Sequence, residues 1–116
     1  MGIDQMMDKM ARGQKAMIGM VHCLPLPGTQ NYRGSVEELF ERAVSDAVIL
    51  WKCGVDAVIV ENTNDLPQSR LLEIEQVAAL SSVVRAVVER IEIPVGVDAS
   101  FNDGAAGMAI AYCAGG

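Results

Sequence analysis

Gly54-Val55-Asp56-Ala57-Val58-Ile59-Val60-Glu61-Asn62 is the stretch on which the fold turns. Its centre is a run of β-branched and small apolar residues of strand length, with glycine before it and a carboxylate and an amide after it. A strand apolar on both faces belongs in a parallel sheet, where helices cover one side and a core covers the other. Two more runs read the same way, so strands are predicted over 16–21, 55–60 and 93–97, and only Asp56 puts a charge inside them.

Long amphipathic segments lie between these runs. Ser35-Val36-Glu37-Glu38 is a capping box, with Ser35 accepting from a free N–H and Glu38 reaching back. Val36, Phe40, Ala43, Ala47 and Leu50 then recur at three- and four-residue steps as one buried stripe. Gly54, just past Cys53, is placed for a left-handed cap. A second helix follows Pro67-Gln68-Ser69 and carries Val77, Leu80, Val84, Val87 and Ile91 on one face, until Pro94 opens the third strand. A third helix, capped by Asn102 or Asp103, runs through Met108, Ala109 and Tyr112 to Gly115-Gly116. Met6, Met7 and Met10 are expected to pack an N-terminal helix over the bottom of the sheet, and Trp51 and Phe40 are expected in the core.

Strand alternating with helix gives βα units joined by right-handed crossovers. Polar residues close each strand, His22, Glu61 and Asp98, at intervals of 39 and 37 residues. An open doubly wound sheet often carries a glycine-rich phosphate loop after its first strand. Here that segment is Cys23-Leu24-Pro25-Leu26-Pro27-Gly28, with two prolines and no GxGxxG. The expected fold is therefore α/β, a partial (β/α)8 TIM barrel of about three βα units with parallel strands. A full barrel takes about 250 residues. Residues 1–116 accordingly read as the N-terminal part of one barrel domain whose C-terminal half is missing, and Ala114-Gly115-Gly116 reads as the lead into a further strand. Open edges on the first and third strands would be sticky, so self-association or the missing half-barrel is an expected partner.

The sequence has 116 residues, of which 51% are hydrophobic and 21% charged, within the range of globular domains. A net charge of −6 argues against nucleic acid, whose binders cluster Lys and Arg. No run approaches the roughly 20 apolar residues of a membrane span. The first eleven residues, with Asp4 and Asp8, lack the apolar segment of a secretory signal. Cys23, Cys53 and Cys113 form no CxxC pair, and reduced thiols in a cytoplasmic protein are the expectation.

Three segments together resemble the BtpA/SgcQ family: Ile18-Gly19-Met20-Val21-His22-Cys23-Leu24-Pro25-Leu26-Pro27-Gly28, Gly54 to Asn62, and Ile93-Pro94-Val95-Gly96-Val97. The resemblance runs from about Lys15 to Gly116. It implies a TIM barrel grouped with the ribulose-phosphate-binding barrels. Its name comes from a photosynthetic member needed for accumulation of photosystem I proteins, and it implies no particular reaction. Where the family's third strand continues as GVNxLxND, this sequence has Gly96-Val97-Asp98-Ala99-Ser100-Phe101-Asn102-Asp103, with a carboxylate in place of the first amide.

Function in barrels gathers at the C-terminal strand ends. Alternation puts His22 on the face of Ile18 and Met20, Glu61 on that of Ala57 and Ile59, and Asp98 on that of Gly96. If those faces point inward, an imidazole and two carboxylates meet at the mouth, a set suited to proton transfer. His22, Glu61 and Asp98 are thus the candidate catalytic residues. The same set suits a divalent cation, though no metal or cofactor is specified. Asn62, Asn102 and Asp103 border it as substrate-binding candidates. Each has a plainer alternative: His22 closing a loop on a backbone carbonyl, Glu61 and Asn62 capping a turn, Asp98 pairing with a distant cation, Asn102 and Asp103 capping a helix. Cys23 adjoins the mouth but lacks a second histidine to activate it. The stiff apolar Pro25-Leu26-Pro27-Gly28 loop reads as a pocket rim or a docking surface. The expected function is an acid/base or metal-assisted conversion of a small metabolite, with phosphorylated ones among the candidates; the alternatives are a non-enzymatic assembly factor or an inactive remnant.

Overall fold

A computed structural model describes residues 2–65, 71–99 and 103–116. The elements run α1 (Ile3–Ala11), β1 (Ile18–His22), α2 (Val36–Lys52), β2 (Ala57–Glu61), α3 (Ile74–Val88), β3 (Val95–Asp98) and α4 (Gly104–Ala114). Each strand lies slightly C-terminal to its predicted run, so that His22, Glu61 and Asp98 become the last residues of their strands. Among the described residues the sheet has three strands in the order β1-β2-β3, both pairings parallel.

Register follows from which face is covered. Val21, Val58 and Val60 are wholly buried, and Val95 nearly so. They lie beneath α2, α3 and α4, which form one layer on that side. The opposite face carries Ile18 and Met20, about half exposed at 47% and 42%, with Ala57, Ile59 and Gly96 beside them. A shift of one residue in any strand would exchange the two faces, so burial of the valine rows fixes the register. The strands are apolar on both sides, as the sequence indicated, but among the described residues the layer of α2, α3 and α4 covers only one.

The helix layer corrects the expected stripes in detail. In α2 Ala43 and Ala47 are buried and Phe40 and Leu50 pack against the core as expected; Leu39 joins them, while Val36 is 40% exposed, so the stripe begins one turn later. Ser35 Oγ does accept from the Glu38 N–H at 3.1 Å, but Glu38 turns its carboxylate to Arg33 at 2.7 Å. Gly54 takes φ +96° after α2, the conformation its position called for. In α3 the core side chains are Ala79, Leu80, Val83, Val84 and Val87, with Ile91 buried just beyond the helix end. That helix starts at Ile74 with Glu73 as its cap; the predicted start at Pro67-Gln68-Ser69 lies outside the described residues. Asp103 caps α4, and Gly115 ends it at φ +82°. The other candidate cap, Asn102, lies outside the described residues.

At the N-terminal end of the sheet, the one charge inside the apolar runs finds its partners. Both Asp56 oxygens accept from Lys9 Nζ at 3.1 Å, and Oδ2 also accepts from the Met17 N–H at 2.8 Å. Asp56 returns its own N–H to the Met17 carbonyl. These bonds anchor α1 beneath β1 and β2. Met6 is buried there, whereas Met7 and Met10 are 54% and 47% exposed, so one methionine of the three does the expected packing. A cavity of about 600 Å³ remains between α1 and the sheet, lined by Ile3, Met6, Ile18, Ile59 and Pro94 among others.

Candidate functional site

Opposite the cavity, at the C-terminal strand ends, parallel register pairs His22 with Glu61 and Glu61 with Asp98. All three side chains stand on the face not covered by α2 to α4, because each follows the Ile18–Met20, Ala57–Ile59 or Gly96 alternation. His22 Nε2 lies 3.5 Å from Glu61 Oε2. Glu61 in turn is the register partner of Asp98, and its charge acts on that carboxyl. The three groups sequence reading picked as catalytic therefore form one continuous row across adjacent strands. The imidazole is half exposed at 52%, while the Glu61 side chain is 19% exposed.

Asp98 is held above its ordinary carboxyl value, first by desolvation and then by the charge of the neighbouring Glu61. Two adjacent carboxyls cannot both ionise freely, because each charge disfavours the other. The row thus contains a carboxyl that keeps its proton longer than usual beside a group able to accept one. Among the described residues, no three or more His, Cys, Asp or Glu side chains are arranged to hold a metal ion.

The bordering residues are placed by the loops. Asn62 is buried and donates from Nδ2 to Asp65 Oδ2 at 2.9 Å. Asp65 Oδ1 accepts from the Leu26 N–H at 2.8 Å, and Asn64 Nδ2 donates to the Cys23 carbonyl at 2.7 Å. The loops after β1 and β2 are therefore tied together. Leu26 is fully buried, so the apolar centre of the proline loop belongs to the core and is no docking surface. Asp103 accepts from the Ala106 N–H at 3.0 Å and the Leu72 N–H at 2.9 Å, and these two bonds hold its carboxyl below the ordinary range. It caps α4 and fastens the approach to α3. Sequence reading passed over Asp65 and Asn64; the signal available was the density of Asn and Asp directly after an apolar strand.

Cys23 is 1% exposed, and its thiol is pushed up to about 12, mainly by burial and then by the charge of Asp65. A thiol needs to ionise to act as a nucleophile, so Cys23 stays inert near neutrality. Iodoacetamide at pH 8 should alkylate the exposed Cys53 and Cys113 and spare Cys23 in the folded chain. Peptide mass spectrometry showing Cys23 modified as fast as the other two would contradict this placement.

Residues 13–116 match the family model described as BtpA family. The chain is 44% identical over 100 residues to an uncharacterized protein of Pyrococcus abyssi, covering 86% of this chain and 39% of that protein. It is 36% identical over 100 residues to the photosystem I biogenesis protein BtpA of Synechocystis, covering 85% of this chain and 35% of the relative. To the sgc region protein SgcQ of Escherichia coli it is 31% identical over 87 residues, with coverage of 73% and 32%. The chain thus spans about two fifths of the length of the curated relatives it matches. No solved structure matches it. The loop and strand-end residues just described fall within the segment that the family model accounts for, and the chain belongs to the BtpA family.

Proposed function

We propose that this chain supplies three βα units of a (β/α)8 barrel and that His22, Glu61 and Asp98 carry out acid/base chemistry at its mouth on a small metabolite. Support for the barrel comes from the winding: strand order β1-β2-β3 with α2, α3 and α4 on one face is singly wound, whereas a doubly wound sheet puts helices on both faces. The uncovered face, with Ile18, Met20 and Ile59, then becomes barrel interior, completed by strands beyond these three. The observation that carries the chemistry is the row itself: an imidazole 3.5 Å from a carboxylate whose register partner on the next strand is a second carboxyl, held above its ordinary value. One member donates a proton while another accepts, and all three sit at the strand ends where barrel loops meet substrate. In this proposal Asn62 and Asp103 shape the loops, since Asp65, Ala106 and Leu72 already engage them.

A second reading, an assembly factor without catalysis, draws on the photosystem I biogenesis relative. One experiment separates the two. In a host whose copy of the gene is deleted, His22→Ala and Glu61→Gln variants of the protein should fail to restore the lost phenotype. Restoration by both would overturn the acid/base reading and favour the assembly role.

A further inference from the structure

The imidazole of His22 is half exposed, so little packing fixes the ring, and its distance from Glu61 depends on the path of the backbone. That path is clamped immediately beyond both residues. Cys23, next after His22, donates its N–H to the Glu61 carbonyl at 2.9 Å and receives Asn64 Nδ2 on its own carbonyl. Asn62, next after Glu61, donates to Asp65, and the other Asp65 oxygen takes the Leu26 N–H. Cys23, Leu26, Asn62 and Asp65 are all 4% exposed or less.

We propose that Asp65 is a positioning residue that sets the spacing of His22 and Glu61 by tying the loop after β1 to the loop after β2. The inference rests on the acid/base reading for its consequence, though not for its geometry. A carboxylate suits the task because its two partners are both donors, a backbone N–H and an amide NH2, and each oxygen can accept one. An asparagine at this place offers a single acceptor and turns its NH2 toward another donor. Burial raises the Asp65 carboxyl while the Leu26 and Asn62 bonds oppose that rise. A buried carboxylate is costly unless its hydrogen bonds are made, so the clamp is held shut by the same bonds that make the charge tolerable.

The test is proton NMR of the full chain, reading the NOE between the His22 ring and the Glu61 side-chain methylenes. Asp65→Asn should weaken that NOE several-fold, since it falls with the sixth power of distance. The exchange Asn62→Asp with Asp65→Asn restores a donor–acceptor match between the two positions and should return the NOE. Circular dichroism confirms that each variant is folded at the temperature used. An unchanged NOE in Asp65→Asn overturns the proposal, as does loss of the NOE in both folded variants. If the NOE behaves as expected while Asp65→Asn still restores the deletion phenotype, the positioning role stands and the acid/base reading falls.

Discussion

Leu80→Ala should lower the free energy of unfolding by about 2–5 kcal/mol, the usual range for emptying a buried leucine site. Domains of this kind are stable by only about 5–15 kcal/mol, so the change removes a large share of the total. The expectation rests on where Leu80 sits. It is wholly buried in α3, the central helix of the layer, with α2 on one side, α4 on the other and β3 beneath. A gap opened there cannot be closed by moving one neighbour without pulling it off another, and the cavity term stays near its upper end. Tyr112→Ala on α4 provides the comparison, because that side chain is 89% exposed and its loss should change stability by no more than about 0.5 kcal/mol. Urea unfolding followed by circular dichroism measures both. Equal midpoint shifts for the two variants would show that α3 does not occupy the centre of the layer.

Leu80 is legible in the sequence, together with Val84, Val87 and Ile91, because a helix that must cover a parallel sheet repeats its apolar residues at three and four steps. The strand-end row was legible for a related reason. Alternation of two fixes which residues share a face, and the polar residue ending each apolar run falls on the same parity in all three strands. What periodicity does not contain is any contact that closes over many residues. Asp56 stood out as a charge in an apolar run, but Lys9 lies 47 positions away and nothing local selects it over other lysines. Asp65 and Leu26 are 39 positions apart, and the bond joins a side chain to a backbone N–H, which no residue type announces. In α2 Ala43 and Ala47 were legible but Leu39 was not, because Val36 and Leu39 are both apolar on a helix that is apolar over a wide arc; the choice between them is made by how the helix rolls on the sheet.

Those long-range carboxylate contacts determine how the fold should respond to acid. Asp56 is held below its ordinary value of 3.8, first by the Met17 N–H and then by Lys9, and Asp103 is held below it by the Ala106 and Leu72 N–H groups. A carboxyl depressed on folding stabilises the native state above its unfolded value, and that contribution is lost as pH falls through the lower folded value. Asp98 and Asp65 are shifted the other way, chiefly by desolvation. Their contribution is complete below the unfolded value and is lost as pH rises through the raised folded one. Stability should therefore rise as pH is lowered from neutrality toward 3.8, then fall below it as Asp56 and Asp103 take up protons. Solvent screening keeps the upper arm shallow for Asp98, which is largely exposed, so the steeper limb is the acid one. Urea midpoints between pH 2 and pH 7 trace the curve. Asp56→Asn should flatten the acid limb, because the amide cannot lose a charge it never had, and Asp98→Asn should flatten the upper arm. An acid limb unchanged in Asp56→Asn would mean that the tie between α1 and the foot of the sheet contributes nothing to the folded state.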